Sequence, residues 1–391
     1  MLVIKLNTVI VLLLLAISGY GQGIVFSERY YPDGTIQEKF QAYTQNDDTI
    51  KHGAYSFYYP EGTIMQEGYY IDNLPNNLWT NYYRNGFRKS MYRYSKGKKN
   101  GPFEIWKDDG SLYQSGVYEG DLLKGELVTY YPNGQVDSES NYSNGMLNGR
   151  SRVYSSEGIL LLGANYVNDT LNGPWESYHK EGGINYKGFK LNNEYNDTLY
   201  TYYKNGTLQR KAYYKNGIVK GEIVGYYENG AVMNVSHYDD GRLSGQYAEF
   251  HPNGQLAEVG QFENDQRTGR WISYYSDGSL YSQGEFKDGR FDGFWTFFHP
   301  NGNTKQQGAY YKGKSFGPWQ FFAEDGYLNL AGYYVNGKAE GFWIAFYPDG
   351  AIAARIYFRQ GVQYGPAWMY QPDGTVERRM QLGVLPPVLG K

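Results

Sequence analysis

The sequence predicts an all-β chain: an elongated array of antiparallel β-hairpins set side by side as one long twisted sheet. Three observations predict it. The 391 residues include 44 Tyr, 19 Phe, 8 Trp and 51 Gly, a strand-and-turn composition that excludes a disordered chain, poor in aromatics, and a helical bundle, rich in Ala, Leu, Glu and Lys. A glycine recurs at a fixed period of 24 residues along the chain. Between these glycines apolar and polar residues alternate, the pattern of half-buried strands.

Taken from the N-terminus, the first segment is Met1 to Gln22. It carries one positive charge, Lys5, then the apolar run Val9-Ile10-Val11-Leu12-Leu13-Leu14-Leu15-Ala16-Ile17, then Ser18-Gly19-Tyr20-Gly21. Residues 1–21 read as a secretory signal peptide, because the run is about half the roughly 20 apolar residues a membrane span needs. The expected location is therefore periplasmic, cell-surface or extracellular. The chain has no cysteine, so disulfides, thiolate chemistry, Cys-type zinc sites and a lipid-acylated N-terminal Cys are excluded. With 37 basic and 40 acidic residues the net charge is -3, and no global field favours nucleic acid or an anionic membrane.

Residues 22–380 form the repeat domain. Turn glycines stand at Gly62, Gly86, Gly110 and so on every 24 residues to Gly374, with Gly34 lying 28 residues before Gly62, so there are about fifteen units. The four extra residues of the first unit are expected in the polar loop Gln45-Asn46-Asp47-Asp48-Thr49. Asp or Asn precedes the turn glycine in 12 of 15 units, which marks hairpin tips because both residues of such a pair tolerate positive φ. Positions are counted from that glycine as zero. Position 2 is mostly aliphatic, position 6 small and position 8 aromatic, as in Leu280, Gly284 and Phe286, and these even positions are expected on one face. Position 11 is often Gly, a second turn, and position 15 is nearly always Gly. In the second strand, position 17 is Trp or another apolar residue in most units and position 20 is always aromatic. One such hairpin cannot bury its aromatics alone, so the units must stack.

Two strands per unit advance the array by roughly 10 Å, giving a body on the order of 140 Å if it does not fold back. The aromatics of positions 8 and 20 then form rows along the ribbon. Glu377-Arg378-Arg379 supplies a charged last edge, and residues 381–391, with Leu385-Pro386-Pro387, are a C-terminal tail.

The search for chemistry returns little. His179, His251 and His299 all occupy position 21, where other units carry Tyr, and their spacing of two and three repeats keeps them apart. His52 and His237 have no fixed partner, and no nucleophile, zinc or phosphate-loop motif occurs. No enzyme activity, metal or cofactor is expected. The feature above background is a tryptophan row: Trp271, Trp295, Trp319 and Trp343 hold position 17 in four consecutive units. If strands alternate regularly these rings point away from the position 20 aromatics. They either pack on neighbouring glycines and prolines or form an exposed platform that stacks on a linear partner.

The segment Tyr310-Tyr311-Lys312-Gly313-Lys314-Ser315-Phe316-Gly317-Pro318-Trp319, together with the Tyr-Tyr-Pro-Asn-Gly tip, resembles the MORN repeat, and more closely the MORN-variant repeats of bacterial antitoxin-like proteins. The resemblance covers roughly residues 30 to 380. It implies a β-hairpin repeat fold and a role in protein scaffolding or in membrane or phospholipid association. The antitoxin role of that group belongs to cytoplasmic proteins, whereas this chain carries an export segment. The expectation is an exported, non-catalytic scaffold whose aromatic-rich surface binds another protein. The alternatives are an envelope-glycan or membrane-associated module, or an antitoxin-like neutraliser of an exported toxin. Nucleic acid is not an expected partner.

Overall fold

The computed structural model describes residues 23–382, and every regular element among them is a β-strand. The expected signal peptide, and all but two residues of the expected tail, lie outside the described residues. The chain divides into two units, residues 1–194 and 195–391. In the first, strands from Val25–Tyr30 to Ile184–Leu191 follow one another in chain order, each antiparallel to the last except that Leu122–Leu123 and Gly125–Tyr130 both pair with Leu112–Glu119. In the second, strands from Asp197–Tyr202 to Val376–Leu382 do the same. Each unit is a stack of hairpins in a single layer, so both faces of its sheet need an account.

Each repeat contains two different turns. The tip is a three-residue loop: Gly134 N–H donates to the Tyr131 carbonyl (2.9 Å) and Tyr131 N–H to that of Gln135 (2.8 Å). Only the glycine has positive φ there (83°), so the preceding Asn or Asp is chosen for its side chain and not for its backbone. Asn133 Oδ1 accepts from Gln135 N–H (3.1 Å), while its Nδ2 donates to the Ser156 carbonyl one repeat on (2.8 Å). At aspartate tips the second bond is lost, and where Ser or Thr follows the glycine its hydroxyl takes part instead: Ser111 donates through both N–H and Oγ to Asp109, holding that carboxyl below its usual range.

The second turn, at positions 10 and 11, has positive φ at both residues, the two-residue type I′ geometry that suits strand twist. Position 11 is Gly or Asx throughout. Its N–H donates to the position 13 carbonyl of the preceding repeat, as from Asp265 to Leu243 and from Gly289 to Arg267. Where the residue is Asn or Asp, its Oδ1 also accepts from the position 13 N–H, as Asp265 does from Leu243 (2.8 Å). The Asx residues thus replace the missing glycines of the pattern and add a bond between repeats.

The four extra residues near Gln45 do not form a loop. Asn46 and Asp47 make the same two-residue turn, and the flanking strands Ile36–Gln45 and Asp48–Tyr58 lengthen instead. Extending an antiparallel pair satisfies the added backbone groups, which a loop would leave to water.

Two register steps per repeat decide which side chains share a face. Ser273 pairs with Ser282 but Tyr274 with Leu280, leaving Tyr281 as a bulge. Because Tyr274 is three residues beyond Trp271, Leu280 lies on the face opposite the tryptophan. The expectation that position 2 shares a face with positions 6 and 8 is corrected by that one-residue step. The second step sets Gly260 against the three residues Gly269 to Trp271. At the last strand, Glu377, Arg378 and Arg379 are exposed, and among the described residues no further strand pairs with it.

Asp265 tests the second turn. Asp265→Ala loses the bond to Leu243 while keeping a Cβ at φ 67° without the polar side chain that compensates for it, and is expected to cost about 1–2 kcal/mol in urea unfolding. Asp265→Gly, which loses the same bond but removes the Cβ from the left-handed position, should cost clearly less; equal losses would show that backbone strain does not matter there.

Candidate functional site

Side chains alternate along each strand, so the sheet has a tryptophan face and an opposite face. On the tryptophan face Trp79, Trp271, Trp295, Trp319 and Trp343 are only 2–7% exposed. The second register step swings each ring back over the position 6 glycine of the preceding strand. A Cβ on Gly68, Gly260, Gly284, Gly308 or Gly332 would lie 2.1–2.3 Å from the ring carbon Cδ2. Four indoles then donate through Nε1 to the position 7 carbonyl: Trp79 to Tyr69, Trp271 to Gln261, Trp295 to Glu285 and Trp319 to Ala309, at 2.9–3.2 Å. Trp343 Nε1 is buried without such a bond.

The position 8 aromatics stand edge-on to these rings: Phe262 and Phe286 flank Trp271 at 5.2 and 5.8 Å, and Tyr310 meets Trp319 at 5.0 Å. Position 19 adds stacked partners, Phe297 on Trp295 and Phe321 on Trp319. Where a basic residue holds position 13 it caps the row, as Arg267 does 4.0 Å above Trp271 while paired with Glu258. In the first unit Lys51 lies 4.5 Å from the Tyr55 ring and pairs with the buried Glu38.

This arrangement corrects the exposed-platform expectation for Trp271, Trp295, Trp319 and Trp343. They do point away from the position 20 face, but they cover backbone and do not meet solvent. His251 and His299 are structural as well. Tyr131 and Tyr227 each donate from the hydroxyl to the position 20 carbonyl of the next repeat (2.9 and 2.8 Å), and His251 and His299 make the same contact through Nε2 to Tyr274 and Phe322 (3.1 and 3.0 Å). A carbonyl only accepts, so Nε2 carries the proton in both. His179 Nε2 is buried without a hydrogen-bond partner among the described residues. Among the described residues no three His, Asp or Glu side chains gather as a metal cluster.

The opposite face carries what the sequence did not single out. In the second unit Phe294, Tyr311, Phe316, Tyr333 and Phe342 are 43–59% exposed. Cross-strand pairing links them: Phe294 with Ala309, Ala309 with Phe316, Pro318 with Tyr333, and Phe342 with Tyr357. Tyr311 and Phe316 are 6.4 Å apart, and Phe342 meets the Tyr357 ring edge-on at 5.1 Å. In the first unit positions 7 and 16 carry Arg93, Glu126, Asn141, Arg150 and Asn165, which separate the apolar pairs Pro102 with Val117 and Pro174 with Phe189, and no continuous aromatic band forms. The legible signal was the doublets Phe294-Trp295 and Phe342-Trp343, where an aromatic stands at a position that alternation reserves for a polar residue.

The MORN repeat variant model matches residues 51–72, 123–144, 198–216, 243–264 and 267–288. Each match runs from the second strand of one repeat through the tip to the second turn of the next, one hairpin of the geometry just described. The chain carries MORN-variant repeats. No curated protein matches the MORN-variant chain in sequence. Among solved structures it is similar to the TcdB2-TccC3-Cdc42 crystal structure, at 12% identity over 89% of this chain and 27% of that one, with a TM-score of 0.16. It is likewise similar to the Photorhabdus luminescens Tc holotoxin pore, at 13% identity over 90% of this chain and 24% of that one, again with a TM-score of 0.16. The chain spans about a quarter of those solved chains, and a score of 0.16 carries no argument about fold or role.

Gly284→Ala drives a Cβ into the Trp295 ring and is expected to destabilise the second unit by about 1–3 kcal/mol or more. Adding Trp295→Leu should recover part of that loss, and strictly additive losses in urea unfolding would refute the pairing. The buried tyrosines give a second test. Burial holds the hydroxyls of Tyr70, Tyr92, Tyr94, Tyr310 and Tyr334 above their ordinary value; burial and then the hydrogen bond to Glu249 do the same for Tyr247. The neutral form is the folded form, so this stability is complete below the unfolded value of about 10 and is lost as pH rises through the folded values. The melting temperature should fall steeply above about pH 10, with part of the tyrosinate absorbance appearing only on unfolding. Complete titration in the folded chain would overturn it.

Proposed function

We propose that this MORN-variant chain is a non-catalytic repeat scaffold, exported through its N-terminal segment, that binds protein through the aromatic band of the second unit. The observation that carries the reading is the band itself. Monomeric surfaces seldom leave contiguous apolar patches larger than a few hundred Å² without a partner, and rigid aromatics dominate protein-binding hot spots. The band has an apolar floor of Ala309 and Pro318. Charges of both signs, Lys287, Asp288, Arg290, Asp292 and Lys312, surround Tyr311, which gives no general attraction to an anionic lipid surface. The glycan reading drew its support from an exposed tryptophan row, and that row is buried.

Immobilised residues 22–391, exposed to a solubilised envelope fraction of the source cells, should retain a discrete protein that binds again when purified. Phe294→Ser with Phe342→Ser, both at exposed sites, should lose it while keeping the wild-type melting curve. Retention of polysaccharide or lipid instead, or equal retention by the double variant, would overturn the reading.

A further inference from the structure

We propose that the aromatic band of the second unit is a self-association surface, occupied by the same band of a second copy of this chain. The inference rests on the reading of that face as a protein-binding surface and names the partner.

The sheet is a single layer, while a stable β architecture normally covers an apolar sheet face with a second layer. The tryptophan face provides its own cover, because indoles lie flat over glycines. The opposite face has no such device between Phe294 and Phe342: positions 7 and 16 there carry Ala309, Pro318, Tyr333 and Tyr357, and nothing among the described residues lies across them. A second sheet laid on it at about 10 Å would complete a two-layer sandwich.

The area fits one copy against another. Five rings about half exposed, each of roughly 150–250 Å², offer on the order of 500 Å². An isologous pair would bury about 1,000 Å² in total, the threshold for a specific if weak interface. The charges fit too. An isologous contact sets a surface against itself, so a rim of one sign would repel; the rim here alternates Lys287, Asp288, Arg290 and Asp292 before Lys312. The band is also short along the chain, confined to the repeats from Gly278 to Gly350, which suits a closed two-fold pair better than continuous side-by-side association along the whole face.

Sedimentation velocity of residues 22–391 over about 1–100 µM should show a monomer passing to a dimer, and Phe294→Ser with Phe342→Ser should remain monomeric at every concentration. Because the chain has no cysteine, a single introduced thiol reports the geometry. Phe316→Cys should form a disulfide-linked dimer under mild oxidation, and Val117→Cys, exposed on the same face of the first unit, should not. A wild-type monomer at every concentration overturns the second copy as occupant. If the double serine variant then still loses the envelope protein, the binding surface stands with another partner; if it loses nothing, both readings fall. Cross-linking at Val117 but not at Phe316 overturns the placement.

Discussion

The pair formed by positions 6 and 17 is the constraint on which the rest of the structure depends. A single-layer sheet has no second layer to receive its side chains, so its core must be built from side chains lying along the sheet. A tryptophan can do this only if the residue beneath has no side chain. Gly68, Gly260, Gly284, Gly308 and Gly332 each lie under the indole of their own repeat, and Ala164 is paired with Trp175. Elsewhere the same space is filled in other proportions. Ala212 is paired with Ile223, Ser140 hydrogen-bonds Ser151, and Ile356 stands against Ala367 with large and small exchanged. Phe103 stacks on Tyr92 and leans instead over Gly116 of the following strand. What is conserved from repeat to repeat is a volume shared between two strands.

The turns follow from the same requirement. To bring the position 17 ring over the preceding strand the chain needs a wide step in register, and the step places position 15 at positive φ, where Gly stands in most repeats and Asn77 or Asp197 in two. The second turn then needs two more residues at positive φ, and the tip one. The high glycine content is thus a direct cost of packing indoles flat. Asn and Asp soften it at position 11, since their short polar side chains tolerate the left-handed region and add a hydrogen bond to the neighbouring repeat.

The period, the strands and both turn sites were legible because each is a local property of a 24-residue string. Face assignment was not, because it depends on register steps that no single strand reveals. Leu280 looks like a companion of Gly284 and Phe286 until the bulge at Tyr281 turns it over. The tryptophan row was legible as a row, and its two readings differed only in whether the rings lie down or stand up. The regular pairing of Trp at 17 with Gly at 6 was present in the sequence and would have favoured the buried reading, since a ring that stands clear places no demand on the residue opposite. The first-unit insertion was misplaced for a related reason: Gln45 to Thr49 is polar enough for a loop, but an antiparallel ladder absorbs two added residues per strand, pairing Ala42 to Gln45 in register with Lys51 to Asp48.

In a repeat protein the repeated residues answer to the fold, so individuality has to be sought in the departures. Most departures here are themselves structural. The histidines at 251 and 299 keep the tyrosine contact, the Asx residues at position 11 keep the glycine backbone, and Ile356 with Ala367 keeps the shared volume. Phe294, Tyr311, Phe316, Tyr333 and Phe342 are different, because they keep nothing the fold needs: their rings are about half exposed, on the face away from the indoles, in a few consecutive repeats of one unit. Exposing five aromatics gives up part of the burial that stabilises the other rings. The fold itself tolerates polar residues there, since the first unit carries Arg93, Asn141, Arg150 and Asn165 at equivalent positions, which is why the proposed binding is placed on that band and not on the more conspicuous tryptophans.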